Sequence, residues 1–318
     1  MKVNIAVLNY NGISLLRECM PSVLEACKAS SNICTVTVVD NGSTDKSLDF
    51  LRENFPDVVI YIAKTNSFLC SFNDFAEFVS DDIIILLNSD IKLTKGFVDP
   101  LVEVFNGHKD AFMSGPQCWT FDKRQYEGTR TKIRMKFGFF QAFSRYPGYE
   151  KDIEVPGYTA SAGSVAAFRR DRFLELGGYD NLYLPGRVED VDLCYRGWKR
   201  GYKAYYVPQS VSYHKGLASF KRAFGYQNTL VLSYRNTFLF IWKNITDVQL
   251  LFEHVIFLMP WLLFSLAKFN FSFLRGFTRA LVKLPKALSR RGNQAAYFKE
   301  KDKHLLNLLG WKKSPLLS

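Results

Sequence analysis

Residues 82–90 read DIIILLNSD, in which five consecutive apolar residues lead into a short polar end. An apolar run of this length, without polar alternation, is typical of a strand buried on both faces of a parallel sheet. The run ends at Asn88, Ser89 and Asp90, so these side chains would stand at the carboxyl end of the strand. The stretch therefore predicts a central strand of an α/β sheet. Asp90 at its tip is either a turn or cap residue, as a lone Asp at a strand end usually is, or a carboxylate that could hold Mg²⁺ or Mn²⁺ against a diphosphate, and its position favours the second.

Three further β-rich runs precede this strand: VNIAVLNY (3–10), TVTVVD (35–40) and DVVIYIA (57–63). Each is followed by a stretch with helical patterning, of which the longest is SLLRECMPSVLEACKAS (14–30). Strands that alternate with helices in this way are typical of crossover connections in a parallel sheet. The N-terminal half is therefore predicted to be α/β.

Polar residues also follow two of these earlier runs. Asn9 and Asn11 come at the end of the first run, and the second ends at Asp40, ahead of an Asn-Gly pair. In open α/β sheets ligands bind outside the carboxyl ends of the strands, and a nucleotide is the ordinary occupant. The structural alternative is a tight turn followed by a helix that Ser43 caps.

The net charge of +12 is distributed unevenly along the 318 residues. Residues 268–318 hold twelve Lys or Arg against two acidic residues, which leaves about +2 for the rest of the chain. An enzyme that acts on nucleic acid more often spreads positive charge around the groove for the polymer. The distribution therefore favours an anionic membrane surface as the partner and argues against nucleic acid.

The six cysteines contain no CxxC pair and no regular spacing, so neither a zinc site nor a disulfide framework is expected. The first residues, MKVNIAVLNYNG, lack a long apolar run and a small-residue cleavage site, and so do not resemble a signal peptide. A cytoplasmic location is expected.

Two segments near the C-terminus are apolar or amphipathic. Val255–Ala267 is a predominantly apolar run of thirteen residues, short of the roughly twenty that cross a bilayer, and it predicts a buried or interfacial helix kinked at Pro260. Beyond it, apolar and basic residues recur at the same helical spacing. The apolar stripe is Phe273, Phe277, Leu281, Leu284 and Leu288, and the basic stripe is Arg275, Arg279, Lys283, Lys286 and Arg290.

These two stripes are offset by two residues, about 200° around a helix, so they face opposite ways. Such a pattern is typical of a basic amphipathic helix that lies in a membrane surface, here across residues 255–291, with Pro285 dividing it into two pieces. The alternative is that the apolar stripe packs on the rest of the protein or on a second subunit.

Residues 188–198, VEDVDLCYRGW, place Glu189, Asp190 and Asp192 within four positions. Like charges this close on a helix repel each other, so the cluster predicts a function or a nearby positive charge. Asp192 precedes Arg196 by four residues, the favourable order for a helical ion pair. A solvated helix start is the structural alternative, and it fits Asp192 better than Asp190.

Ten motifs follow one another along residues 3–240. They are NYNG (9–12), VVDNGSTD (38–45), NSFLCSFN (66–73), LNSD (87–90), SAGSVAAFRR (161–170), GGYD (177–180), VEDVDLCYRGW (188–198), GYKAYYVP (201–208), SYHKG (212–216) and SYRN (233–236). In this order they resemble the family 2 glycosyltransferases, particularly the rhamnosyltransferase-like branch.

This resemblance implies a GT-A fold, a Rossmann-like α/β fold for nucleotide-sugar transferases, in residues 1–240. Residues 1–95 would form the nucleotide-sugar-binding half and 96–240 the acceptor and catalytic half, followed by a helical segment, 241–318, for membrane association or oligomerisation. The implied reaction is metal-dependent, inverting transfer of a hexose, with dTDP-rhamnose as the favoured donor. The implied acceptor is a lipid-linked glycan or polysaccharide, and the implied location is the inner face of the cell membrane, as a peripheral protein.

Carried over motif by motif, the resemblance also implies site residues. The nucleotide-sugar-binding residues would be Asn9, Asn11, Asp40, Asn66, Asn73, Asn88 and Ser89. Asp90 and His214 would bind Mg²⁺ or Mn²⁺. Asp190 would be the general base, and Glu189 would orient the acceptor or the sugar.

Two departures from the family pattern concern the donor site. Many relatives carry Asp-x-Asp where this chain has Asn88-Ser89-Asp90, so a metal would have fewer protein charges. Relatives usually carry Gly near the positions of Phe68 and Cys70. The aromatic and basic segment 120–156 has irregular patterning and is interpreted either as an acceptor-side loop or as a variable surface segment.

Two alternatives stand beside this function, and a third is disfavoured. The two are a non-catalytic protein that binds a nucleotide sugar or glycan in a membrane assembly, and the same enzyme with a UDP- or GDP-sugar donor. A nucleotidyltransferase would need a basic Gly-rich loop near the N-terminus, where only Gly12 and Arg17 are present.

Overall fold

The structure is a computed structural model that describes residues 1–216 and 223–310. Its strands are β1 (Lys2–Asn9), β2 (Ile33–Asp40), β3 (Val59–Ile62), β4 (Ile83–Asn88), β5 (Ile91–Leu93), β6 (Ala111–Thr120), β7 (Tyr126–Gly128), β8 (Lys132–Lys136), β9 (Phe139–Phe143), β10 (Gly157–Tyr158), β11 (Val165–Arg169) and β12 (Lys203–His214). Its helices are α1 (Ile13–Ala29), α2 (Ser47–Asn54), α3 (Ser71–Phe78), α4 (Val98–Gly107), α5 (Arg170–Glu175), α6 (Glu189–Lys199), α7 (Tyr226–Asn244), α8 (Val248–Ala267), α9 (Phe271–Ala295) and α10 (Asp302–Leu308).

The N-terminal half is the predicted parallel α/β unit. β1 pairs in parallel with β2 and β4, and β3 continues the sheet beyond β2. The register sets Asn9 beside Asp40 and Leu8 beside Asn88, so the polar ends of three strands lie at one edge. The side chains of β4 are buried on both faces of the sheet, as the unbroken apolar run predicts. The α/β fold class is confirmed.

The second half extends the sheet with strands of mixed direction. β11 runs antiparallel to both β4 and β6, while β12 runs parallel to β6. His214 is the last residue of β12, which pairs antiparallel with β5 so that His214 lies beside Ile91. Asp90, one residue before Ile91, is thereby brought close to His214.

The segment 120–156 is more regular than its sequence indicates. It contains β7 and a hairpin of β8 and β9, joined by the two residues Phe137 and Gly138. Both residues have positive φ angles, 50° and 71°, which a two-residue hairpin turn requires and which Phe rarely adopts. The interpretation of this segment as irregular is therefore wrong.

α8 is longer than the thirteen-residue apolar run suggests. It extends over twenty residues and continues through Pro260, after a start capped by Asp247, whose side chain accepts from the N–H of Gln249. By length and composition it could cross a membrane, with a mean hydropathy of 1.9, and only 17% of its most apolar stretch is buried. The predicted domain boundary at residue 240 falls inside α7.

α9 is a single helix with Pro285 inside it, so the predicted division into two pieces is wrong. Its buried face is formed by Ser272, Phe273, Gly276, Ala280 and Ala287. That face packs on α7, whereas Leu281 and Leu288 of the predicted apolar stripe are exposed. The alternative, packing on the rest of the protein, therefore describes most of this helix. Residues 311–318 of the predicted C-terminal segment lie outside the described residues.

Candidate active site

Asp40 builds the turn that follows β2. Its carboxylate is fully buried, and Oδ1 accepts from the N–H groups of Gly42 (3.0 Å) and Ser43 (2.8 Å). Oδ2 accepts from Nδ2 of Asn9 (2.9 Å) and from Oγ of Ser43 (2.6 Å). Asn9 is fully buried as well, so the two side chains fix the shape of this edge of the sheet. Their direct contact with a nucleobase or ribose stays a prediction.

Asn11 and Asn66 are exposed on the loops around this turn. Oδ1 of Asn11 accepts from the N–H groups of Thr44 (2.7 Å) and Asp45 (3.1 Å), which ties the first loop to the second. Oδ1 of Asn66 accepts from the N–H of Phe68 at 3.3 Å. Both asparagines are accessible to a ligand, and their predicted role in donor binding stays open.

Asn73 has a different environment. Its Nδ2 donates to the carbonyl of Tyr179 at 2.8 Å, and its Oδ1 accepts from the N–H of the same residue at 2.8 Å. A Cβ at Gly178 would lie 2.1 Å from Asn73 Oδ1, so the turn needs glycine there. Asn73 does not line the central cavity described below, but it lines a smaller cavity beside the Gly177–Asp180 turn, and its predicted role in donor binding stays a prediction.

A cavity of about 880 Å³ opens beside the carboxyl ends of β4 and β12. Its polar and charged wall includes Asn88, Asp90, Glu127, Arg187, Glu189, Asp190 and His214. Its opposite wall consists of the hairpin strand β9 and one face of α7. The cavity thus brings together the predicted metal-binding and catalytic residues, which are spread from Asp90 to His214 in the sequence. Ser89, exposed in part, belongs to the loop between Asn88 and Asp90.

His214 lies between two carboxylates on this wall. Its Nε2 is 3.4 Å from Oδ1 of Asp90, and its Nδ1 is 2.5 Å from Oε2 of Glu127. Burial alone would lower the pKa of His214, but the carboxylates of Asp90 and Glu127 outweigh burial and raise the pKa to about 9. Asp90 Oδ1 is buried without a hydrogen-bond partner among the described residues. A buried carboxylate oxygen whose neighbour is an imidazole nitrogen is a suitable ligand pair for a divalent cation, provided that the cation displaces the Nε2 proton.

Asp90 and His214 supply only part of a coordination shell for a metal ion. Among the residues that the structure describes, no three His, Cys, Asp or Glu side chains converge as a ready-made metal cage. Asp90 and His214 would therefore have to be completed by oxygens of a bound diphosphate or by water. Divalent cations that work with nucleotides are often held in this way.

Glu189 and Asp190 open α6, where the first-turn N–H groups favour negative charge. Asp190 accepts a hydrogen bond from Oγ of Ser161, and Ser161 Oγ in turn accepts from the N–H of Gly163 at 3.1 Å. Oε2 of Glu189 is buried without a partner among the described residues. Burial, followed by the charge of Asp190, raises the pKa of Glu189 to about 8. Glu189 is thus held protonated at neutral pH, beside a carboxylate that is oriented by a serine.

Asp192 is fully buried, so its interpretation as a solvated helix start is wrong. The predicted ion pair with Arg196 is present, with Nε 2.8 Å from Oδ2. Lys243 from α7 adds a second cation at 2.8 Å, and the hydroxyl of Tyr183 donates at 2.7 Å. Burial would raise the pKa of Asp192, but Lys243 and Arg196 outweigh it and hold the pKa below its usual range. The third carboxylate of the cluster therefore anchors α6.

The loop before α6 is held by Asn236, part of the SYRN motif. Its Nδ2 lies within hydrogen-bonding distance of the carbonyls of Tyr183 (2.9 Å), Gly186 (2.7 Å) and Arg187 (2.7 Å). Arg187 and Val188 have φ angles of 79° and 77°, in the left-handed region that non-glycine residues seldom adopt. Backbone strain is thus placed directly before Glu189, and α7 restrains it.

Sequence reasoning missed four residues of this site: Glu127, Ser161, Asn236 and Lys243. Ser161 and Asn236 lie inside motifs that the sequence does show, but nothing in their spacing indicates a partner. Glu127 lies on β7, in the segment interpreted as irregular, and Lys243 lies on a helix outside every motif.

Comparisons with known proteins give one family. The model for "Glycosyl transferase family 2" matches residues 4–175, more than half of the chain. N-acetylglucosaminyl-diphospho-decaprenol L-rhamnosyltransferase of Mycobacterium tuberculosis is 28% identical over 221 residues, covering 60% of this chain and 72% of that protein. Polypeptide N-acetylgalactosaminyltransferase 8 of Drosophila melanogaster is 27% identical over 188 residues, 55% of this chain and 31% of that protein.

Solved structures show the same fold. GalNAc-T7 with UDP, GalNAc and Mn²⁺ aligns with a TM-score of 0.59 at 17% identity, over 78% of this chain and 48% of that one, so the chain spans about half of that protein. A mannosyltransferase from Pyrobaculum calidifontis, in complex with GDP-Man and Mn²⁺, aligns with a TM-score of 0.55 at 15% identity, over 96% and 83% of the two chains. The sequence match and the shared fold agree, and the chain belongs to glycosyltransferase family 2.

Proposed function

We propose that this glycosyltransferase moves a sugar with inversion from a nucleoside diphosphate donor to a hydroxyl of a lipid-linked glycan or polysaccharide. The observation that carries the proposal is the shared cavity: Asp190 and the pair Asp90 and His214 line the same space. Inverting transfer needs a base on the acceptor side and positive charge beside the departing diphosphate. Asp190 would supply the base, and a cation held by Asp90 and His214 would supply the positive charge.

In the proposed reaction, Asp190 takes the proton of the acceptor hydroxyl while that oxygen forms a bond to the anomeric carbon. The bond from this carbon to the diphosphate oxygen breaks, and the nucleoside diphosphate leaves. Ser161 orients the Asp190 carboxylate through its hydrogen bond. Glu189, protonated and adjacent, donates a hydrogen bond to the acceptor or the sugar.

Asp90 and His214 would hold Mg²⁺ or Mn²⁺ together with the donor diphosphate. A bound cation would neutralise the charge that develops on the leaving group. Asn11, Asn66, Asn88 and Ser89 lie on the loops at this edge and would contact the donor. Asn9 and Asp40 would contribute indirectly, because they fix the shape of the turn after β2.

We favour dTDP-rhamnose as the donor and a lipid-linked diphosphate glycan as the acceptor, in cell-envelope or O-antigen polysaccharide synthesis. The support is the 28% identity to a rhamnosyltransferase whose name gives a diphospho-decaprenol acceptor. UDP- and GDP-sugars stay as alternative donors, because the solved GT-A neighbours hold UDP or GDP-Man.

The same proposal places the protein at the cytoplasmic side of a membrane, bound peripherally to anionic lipid through residues 255–291. The outward face of α8 exposes Val255, Met259 and Leu263, each at about 60% or more of its side chain's full exposure. Its opposite face is bonded to protein: Trp261 Nε1 donates to the carbonyl of Phe137 at 2.9 Å. A helix that packs one face against the hairpin and exposes an apolar face on the other side is suited to lie along a membrane surface. A homo-oligomer that covers the same apolar face is compatible with this placement.

Thermal stabilisation by dTDP, UDP and GDP, each with and without Mn²⁺, tests the proposal. A ligand that binds only the folded protein stabilises it by about 2.7 kcal/mol at a hundred times its Kd. We expect stabilisation by dTDP that requires Mn²⁺ and is lost in Asp90→Ala. A preference for UDP or GDP would replace the sugar and keep the mechanism. Stabilisation by none of them would contradict the proposal.

A further inference from the structure

Glu127 is the unassigned acidic side chain of the cavity. Its Oε2 lies 2.5 Å from Nδ1 of His214, on the opposite side of the ring from Asp90. The carboxylate is 24% exposed and the imidazole is 20% exposed, so the pair is mostly withdrawn from water. A charged hydrogen bond at this degree of burial fixes the orientation of the ring.

The fold places Glu127 there through three neighbouring strands. β7, which carries Glu127, pairs antiparallel with β6, and β6 pairs in parallel with β12, which ends at His214. Gly216 follows two residues later with a φ of 59°. A Cβ at Gly216 would lie 3.0 Å from Oε1 of Glu127, so the glycine leaves room for this carboxylate. The SYHKG motif therefore meets strand β7 at Glu127.

The first position of the metal motif is a neutral amide, Asn88, in place of a carboxylate. The site thus has only Asp90 as a charged ligand from this loop. Glu127 adds one negative charge to the same wall of the cavity, in compensation for the carboxylate that is absent at Asn88. A histidine that ligates a metal through one nitrogen commonly donates its other N–H to a carboxylate, which fixes the tautomer and makes the ligating nitrogen more basic.

Resting on the proposed function, we propose that Glu127 is a positioning residue of the metal site. It accepts the Nδ1–H of His214, which would leave Nε2 as the nitrogen that binds a cation together with Asp90 once the Nε2 proton is released. It also supplies the negative charge that Asn88 lacks. Its contribution is to metal affinity, and Asp190 keeps the role of base.

Titration with Mn²⁺ in the presence of saturating dTDP tests this role, with free Mn²⁺ measured by electron paramagnetic resonance. The loss of a carboxylate behind a metal-binding histidine typically weakens metal affinity 10–100-fold, and we expect this increase in Kd for Glu127→Ala. Glu127→Gln keeps an oxygen acceptor but loses the charge, so its Kd should lie between those of Glu127→Ala and the wild type. Glu175→Gln is the matched control, since Glu175 accepts from Arg172 (2.7 Å) and Tyr202 (2.7 Å), away from the cavity, and its Kd should equal that of the wild type.

The melting temperature of each variant without metal separates positioning from a merely structural role. If Glu127→Ala melts earlier but binds Mn²⁺ with the Kd of the wild type, the role is structural and the inference is overturned. That outcome leaves the proposed function intact. If the wild type binds no nucleoside diphosphate at all, the proposed function fails, and the inference falls with it.

Discussion

The ammonium group of Lys243 donates to both oxygens of Asp192, at 2.8 Å and 2.9 Å, and both residues are fully buried. Lys243 also donates to Oδ2 of Asp180 at 2.7 Å, and Arg196 pairs with Asp192 from the other side. These contacts join α7 to the first turn of α6, directly below Asp190. The helix that presents the proposed base is therefore held by charges from outside its own motif.

Removal of this cation should cost more than the loss of an ordinary ion pair. Lys243→Met leaves Asp180 and Asp192 buried with too little positive charge, and breaking such a pair typically costs about 3–5 kcal/mol. We expect a loss of this size in the free energy of unfolding, measured by urea denaturation. Arg52→Met is the control, because its pair with Asp49 is exposed and such pairs are worth about 1 kcal/mol or less. Equal losses in the two variants would show that the buried network does not stabilise the fold.

Asp190→Asn should separate chemistry from binding. General-base catalysis typically contributes about 10²–10⁴-fold, so we expect kcat for sugar transfer to fall by that factor. Asparagine keeps the size of the side chain and an oxygen that can accept from Ser161, so the fold should be preserved. Stabilisation by the nucleoside diphosphate with Mn²⁺ should match that of the wild type. A variant with normal kcat would remove Asp190 from the role of base.

The N-terminal sheet could be predicted because the sequence signal for each of its strands lies within a few consecutive residues. The apolar run of β4 is complete within residues 83–87, and the polar residues after β1 and β2 mark their ends. The β8–β9 hairpin has no such mark, since its turn is Phe137-Gly138 in place of an Asn-Gly pair. Its strands are also only five residues long, which is too short for a period to be evident.

The orientation of α9 could not be predicted from hydrophobic periodicity, because small residues decide it. A Cβ at Gly276 would lie 2.6 Å from Cβ of Tyr234 and 3.0 Å from the carbonyl of Val231, so only glycine allows this approach to α7. Ala280 and Ala287 continue the same close face. Hydrophobic periodicity is judged from large apolar side chains. In α9 these side chains lie beside the contact with α7 or face outward.

The residues of the site likewise include some that could be predicted from the sequence and some that could not. Asp90, Asp190 and His214 stand in motifs and meet in one cavity as the resemblance implies. Strand pairing brings Glu127 to His214, and helix packing brings Lys243 to Asp192, two residues after Asp190. The spacing of residues in the sequence does not indicate either contact. Contacts between strands and between helices determine how the side chains of the site are oriented and which charges surround them. A sequence motif identifies only the side chains themselves.

Glu189 should make stability depend on pH. Its pKa is raised from 4.5 to about 8 in the folded protein, so between these values the folded state binds a proton that the unfolded chain releases. The stabilising contribution is complete below about pH 4.5 and is lost as pH rises through about 8, with a slope of up to about 1.4 kcal/mol per pH unit. Urea denaturation of metal-free protein from pH 5 to 9 measures the slope, and Glu189→Gln should reduce it. Identical slopes for the two proteins would show that Glu189 titrates normally.

The exposed face of α8 should carry membrane binding. Met259 and Leu263 are 59% and 60% exposed, so Met259→Glu with Leu263→Glu should leave the fold unchanged. Membrane binding at this face needs both apolar burial and attraction between the basic residues of α9 and anionic headgroups, so it should weaken with added salt. We expect the wild type to co-sediment with vesicles that contain phosphatidylglycerol more than with phosphatidylcholine alone, and the double variant to remain in solution. Ile33→Glu, at a side chain 69% exposed on β2, is the control and should sediment like the wild type. If the double variant binds vesicles as the wild type does, the apolar face of α8 is covered by something other than lipid, and a change in molar mass by light scattering would assign it to a second copy of the chain.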